Sequence, residues 1–144
     1  MPVFSNSCNY ALRAAFYVAL MPEQKFVPIR QISTNLGISF HFLTKILQIL
    51  TQQKIMNSYR GPNGGVSLAR PANEITVLDI VRAIEGDKLF DDCVIGLPGC
   101  GEKEPCPLHD EWMQVKQKLE TSIQNQTLDK LSGEIKNFGL RLTE

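Results

Sequence analysis

The chain has 144 residues, of which 43% are hydrophobic and 21% charged, proportions that fit one compact domain with an appendage and exclude a disordered chain. Its fifteen basic and fifteen acidic residues cancel, yet residues 1–70 hold seven Lys and Arg against the single acid Glu23, while residues 71–144 hold eight against fourteen acids. A split of +6 and −6 directs the first half at a polyanion, and no apolar run reaches the roughly 18 residues that a membrane span needs. No basic segment followed by an apolar stretch opens the chain, so a cytoplasmic location is expected, with neither a membrane nor a small-molecule substrate as partner. In a reducing compartment the four cysteines are expected to bind metal or react rather than to pair as disulfides.

From Asn9 to Leu20 the apolar residues Leu12, Ala15, Phe16, Ala19 and Leu20 recur at three- and four-residue steps, which predicts an amphipathic helix closed by Met21-Pro22. After Pro28, the residues Ile29, Ile32 and Leu36 mark a short helix stopping at Gly37. Ser39 can cap the next helix, whose apolar face is Phe42, Leu43, Ile46, Leu47 and Leu50. The segments 55–60 and 66–70 then read as two strands around the turn-rich tip Gly61-Pro62-Asn63-Gly64-Gly65. Thr76 starts a helix carrying Val77, Ile80, Val81 and Ile84, which ends at Gly86. Residues 87–106 show no periodicity and hold three of the cysteines. Pro107 is expected to restart a long helix with Trp112, Val115, Leu119 and Ile123, and Thr127 to cap a last short one with Leu128 and Leu131.

A short helix, a glycine turn, a second helix and a hairpin form the order of a winged helix–turn–helix. The expected fold is thus mainly α with a small β-hairpin wing. The outward residues at the start of the second helix are Ser39, Phe40, His41, Thr44 and Lys45. Ser39 and Thr44 can bond phosphates or bases, Phe40 can touch a thymine methyl, and Lys45 brings charge. The wing offers Arg60 beside Gly61, Asn63 and Gly64, where missing side chains permit close approach of the backbone to a groove. A helix–turn–helix alone is also a common packing motif. The wing and the basic excess turn the reading towards DNA.

Cys93, Cys100 and Cys106 are separated by six and five residues, with His109 shortly after. This is not the C-x-x-C spacing of most structural zinc sites or of thioredoxin-like motifs. A loop with wide, uneven gaps and several Gly and Pro can wrap something larger than one ion, and an iron–sulfur cluster suits it. His109 lies in the first turn of its helix, where the positive helix end favours a neutral imidazole able to ligate metal. A surface histidine without a role is the plain alternative. Cys8, beside the first helix, reads more readily as a buried small residue than as a ligand.

These residues together resemble the Rrf-type family of bacterial winged helix–turn–helix transcriptional regulators (IscR/NsrR-like), over nearly the whole chain. The marks are Asn9-Tyr10-Ala11-Leu12-Arg13, Arg60-Gly61-Pro62-Asn63-Gly64-Gly65, Thr76-Val77-Leu78-Asp79-Ile80 and, most specifically, the stretch from Cys100 to His109. The resemblance implies a homodimer joined by the long helix after the loop and bound to double-stranded palindromic promoter DNA. It implies cluster ligation by Cys93, Cys100, Cys106 and His109, with [2Fe–2S] expected ahead of [4Fe–4S]. For the latter, a fourth ligand from the partner's first helix would match Asn9, with Cys8 adjacent as a further weak candidate. The gap before Cys100 is one residue longer than in the best-known member.

The resulting division is a DNA-binding domain over 1–86, a cluster loop over 87–106, and dimerisation and C-terminal helices over 107–144. The expected function is a regulator, most often a repressor, gated by a cluster that senses redox state, nitric oxide or cluster status. The alternative is a cluster-free regulator of the same fold using thiols, zinc or a protein partner. An enzyme is not expected, since there is no C-x-x-C, nucleotide-binding glycine pattern or catalytic His/Asp/Ser set.

Overall fold

Ser5 starts the first helix by accepting the Cys8 N–H at 3.1 Å, in a computed structural model that describes residues 3–98, 101 and 103–143. Helix α1 therefore runs Asn6–Ala19, beginning before its first apolar residue, because the cap acts ahead of the buried face. Helix α2 (Ile29–Leu36) stops where Gly37 turns left-handed at φ 66°, and α3 (Phe40–Gln52) begins under Ser39, whose hydroxyl accepts the Phe42 N–H. Strands β1 (Met56–Tyr59) and β2 (Gly65–Leu68) pair antiparallel, with Met56 opposite Leu68 and Tyr59 opposite Gly65. Val27 adds a single rung at the foot of this wing, exchanging hydrogen bonds of 2.8 and 2.9 Å with Val66.

A short 3-10 turn over Ala72–Glu74 leads into α4 (Val77–Glu85), where Thr76 and Asp79 form a reciprocal capping box. The stretch expected to be irregular contains a four-residue helix, α5 (Lys88–Asp91), too short to leave a periodic signature. Helix α6 (His109–Gln124) begins two residues beyond Pro107, which belongs to the preceding turn. Helix α7 (Leu128–Phe138) follows the Thr127 cap and, at 11 residues, is longer than the short helix expected.

The core gathers under α3. Leu43, Ile46, Leu47 and Leu50 are buried against Ala11, Ala14 and Ala15 of α1, whose small side chains let the helices approach closely. Each buried leucine or isoleucine contributes roughly 1.5–3 kcal/mol, so four of them fix the rotation of α3 and with it the face left outward. A second apolar cluster joins Cys8 to Val77 and Val81, with Phe16, Leu89, Ile123 and Leu131 around it. The C-terminal part folds back onto this body. Leu128 is fully buried in the main core, its N–H donates to Ile75 at 2.9 Å, and Arg13 of α1 donates to the Leu142 and Leu36 carbonyls at 2.7 and 3.0 Å. Among the described residues, no helix is long and apolar enough to cross a membrane.

Candidate nucleic-acid interface and cysteine loop

The buried side of α3 dictates its exposed side. Phe40, Thr44, Gln48 and Gln52, spaced by one helical turn, form a stripe that faces the wing across an open cleft of about 1060 Å³. Ser39, His41 and Lys45 are exposed beside that stripe. Two hydroxyls serve the helix itself: Ser39 accepts the Phe42 N–H, and Thr44 donates to the Phe40 carbonyl at 2.8 Å. Residues 24–73 contain no acid, and among the described residues Arg30, Lys45 and Arg60 form no ion pair. The face is therefore cationic, as contact with phosphates requires.

Two cleft residues escaped the sequence reading. Arg30, in the first turn of α2, lies over the Phe40 ring at 4.7 Å from its centroid. Tyr59, at the end of β1, stacks on Phe26 at 5.2 Å and remains 57% exposed. The four-residue spacing of Phe40, Thr44, Gln48 and Gln52 is a signal that could have revealed the stripe; Arg30 carries none, because its neighbour is ten positions away.

At the wing tip Arg60, Gly61 and Asn63 are exposed, while the close approach that glycine permits is internal. A Cβ on Gly64 would collide with the Tyr59 carbonyl, and one on Gly65, at φ 153°, with the Val27 carbonyl. These glycines let the hairpin close on itself and on the residue before Pro28.

The cysteine loop brings Cys93 and Cys106 together. The Cys93 sulfur accepts backbone N–H groups from Ile95, Leu97 and Gly96 and meets the Cys106 side chain; Ile95 and Leu97 lead in holding the thiol below its ordinary value, outweighing its desolvation. The His109 backbone N–H donates to the Cys106 carbonyl at 3.0 Å, and among the described residues no three His, Cys, Asp or Glu side chains come close enough together to hold a metal ion. Cys100 lies outside the described residues. The loop is anchored just before Cys93, where the Asp92 carbonyl accepts Trp112 Nε1 at 3.2 Å and the buried Lys116 Nζ at 3.3 Å. Trp112 and Lys116 share one face of α6 at four-residue spacing, but their partner is legible only in three dimensions.

Cys8 is fully buried in the second apolar cluster. Burial first, and the Glu85 carboxylate second, push its thiol up to about 12. Asn9, next to it on α1, is half-buried.

The Rrf2 family, described as an iron-dependent transcriptional regulator, matches residues 4–134. The HTH-type transcriptional regulator IscR of Pectobacterium carotovorum is 33% identical over 85% of this chain and 74% of its own. Protein aau3 of Rhizobium meliloti is 36% identical over 88% of this chain and 82% of its own. Among solved structures, CymR, the global cysteine regulator of B. subtilis, superposes with a TM-score of 0.76 at 22% identity, covering 92% of this chain and 98% of that one. IscR of T. potens superposes with a TM-score of 0.71 at 25% identity, covering 90% and 85%.

Proposed function

The chain belongs to the Rrf2 family of transcriptional regulators, and on that premise we propose a cytoplasmic, homodimeric repressor whose hold on palindromic promoter DNA is set by an iron–sulfur cluster. The family regulates transcription by binding DNA and is not one of enzymes, so the output is binding and release. In this reading residues 1–86 bind DNA, 87–106 form the sensing loop, and 107–144 join two copies. The first turn of α3, with Ser39, Phe40, His41, Thr44 and Lys45, enters the major groove. Arg60, with Gly61, Asn63 and Gly64, lies along the adjacent backbone or minor groove. Two such helices in a two-fold dimer stand about 34–36 Å apart, or a multiple of that. Support for a second copy comes from α6, whose Met113 and Val115 are exposed apolar residues on the single chain.

The meeting of Cys93 and Cys106 carries the sensing reading. Two thiols in contact, one of them accepting backbone N–H groups, would be two of the thiolate donors that iron requires. Cys93, Cys100 and Cys106 would supply thiolates and His109 an imidazole, the set of a [2Fe–2S] centre. Cys8 is enclosed in its own chain's core and Asn9 is a poor donor, which argues against the [4Fe–4S] alternative. A bound cluster would supply redox and nitric-oxide chemistry. The chain's own part is mechanical. Asp92 ties the loop to Trp112 and Lys116 of α6, and Glu120 of α6 accepts Arg82 of α4 at 2.6 Å. Asp79 of α4 meets Arg70, just beyond β2, at 3.6 Å. Rearranging the loop can thus bias the wing, and a hundredfold change in DNA affinity needs only about 2.7 kcal/mol.

The test is purification without air, followed by iron and sulfide analysis and absorption spectroscopy, with promoter binding compared between the native chain and a Cys93→Ala, Cys100→Ala, Cys106→Ala variant. A coloured protein with equal iron and sulfide, whose DNA affinity differs from that of the variant, is the expected outcome. Colourless protein without iron overturns it and favours the second reading, a cluster-free regulator using thiols, zinc or a protein partner, which the Cys93–Cys106 contact also suits.

A further inference from the structure

We propose that Arg30 is a DNA phosphate contact and that Phe40 acts chiefly as the platform that aims it, an inference that rests on the DNA-binding reading above. The guanidinium of Arg30 lies over the Phe40 ring at 4.7 Å, and both side chains line the cleft between α3 and the wing. Phe40 is 41% exposed although a ring of its size gains by burial, so its position on the outward stripe calls for a role at the surface. Cation–π contact holds the planar guanidinium while leaving its N–H edge free, the edge that bonds phosphate oxygens in pairs. Arg30 belongs to α2, the helix that crosses the DNA backbone in this architecture, and not to the helix whose side chains reach base edges. It also lies in the acid-free run of residues 24–73, and among the described residues no carboxylate pairs with it. A fixed cation on the backbone-facing helix suits a phosphate, which carries charge but no sequence information. Phe40 then contributes through Arg30 rather than through a thymine methyl.

The full chain is titrated with two labelled duplexes, one of mixed sequence and one selected by the protein from a random pool, between roughly 50 and 200 mM salt. Arg30→Ala is expected to weaken both by the same factor, about tenfold at the lower salt. It should also make the slope of log affinity against log salt shallower by about 0.9. Phe40→Ala should weaken binding when Arg30 is present and change nothing further in the Arg30→Ala background, whereas Phe40→Tyr should retain the native affinity. Arg30→Gln, with its own melting curve, guards against a loss caused by unfolding. Unchanged affinity and slope on losing Arg30 would overturn the proposal, as would a loss confined to the selected duplex, the mark of base reading. Equal Phe40→Ala losses in both backgrounds would remove the platform role. Failure of the native chain to hold either duplex at low salt would instead sink the underlying DNA-binding reading.

Discussion

The indole N–H of Trp112 donates to the backbone carbonyl of Asp92 at 3.2 Å, across twenty positions of sequence and one residue before Cys93. It ties the mouth of the cysteine loop to α6, the helix expected to join two copies. Trp112→Phe keeps the ring and removes the donor. We expect a stability loss of about 0.5–1.5 kcal/mol in denaturant and faster amide exchange at residues 93–97. Unchanged exchange there would show that the remaining Lys116 contact suffices to hold the loop.

Gly65→Ala should damage the wing more than any other glycine-to-alanine change at its tip. The added methyl would collide with the Val27 carbonyl while φ stays at 153°, so backbone must move on both sides of the rung that Val27 and Val66 share. A cost of about 2 kcal/mol or more is expected, read as a lower melting midpoint. Gly61→Ala meets only the Tyr59 ring edge at 3.8 Å, so steric collision adds nothing to its backbone strain at φ 129°. An equal loss from both would show that strain alone sets the cost.

Lys54, just beyond the Gln53 C-cap of α3, is left-handed at φ 61°, where a side chain costs about 1–2 kcal/mol and glycine is the usual occupant. Lys54→Gly is therefore expected to raise the unfolding free energy by up to about 1 kcal/mol, seen as a higher denaturation midpoint, after the added freedom of the unfolded chain is subtracted. A fall in stability would mean that the lysine side chain makes a contact worth more than this strain.

Cys8 links stability to alkaline pH. Its thiol is pushed up to about 12 in the folded chain against an ordinary 9.0, so the neutral form is favoured by folding. That contribution is complete below pH 9.0 and declines as pH rises towards 12, because the unfolded chain ionises first. Between these limits the native chain should lose up to about 1.4 kcal/mol per pH unit relative to Cys8→Ala. Denaturation of both at pH 8, 9 and 10 checks the sign; parallel curves would show that the thiol ionises as readily folded as unfolded.

Much of the half proposed to face DNA was legible beforehand because its signals are local. Ser39 and Thr76 cap the helices they were expected to cap, Gly37 ends α2, and the strands flank the expected tip within a residue or two. Each of these depends on hydrogen bonds and backbone preferences spanning at most a few positions. The cysteine loop was less legible. Its spacing departs from that of most structural zinc sites, but spacing could not reveal that Cys93 and Cys106 meet, nor that three backbone N–H groups surround one sulfur.

The order of the longer elements, the buried face of α3 and the cationic character of residues 24–73 were thus written in the chain itself, since periodicity, caps and charge act over neighbouring residues. Which surfaces meet was decided by folding alone. Arg30 reaches Phe40, Arg13 reaches Leu142, and Asp92 receives Trp112 and Lys116, because burying the shared core aligns segments that no local rule connects. The long-range contacts follow from the common burial of α1, α3, α4 and α7, whose apolar stripes each show which side must be hidden but not which partner will hide it.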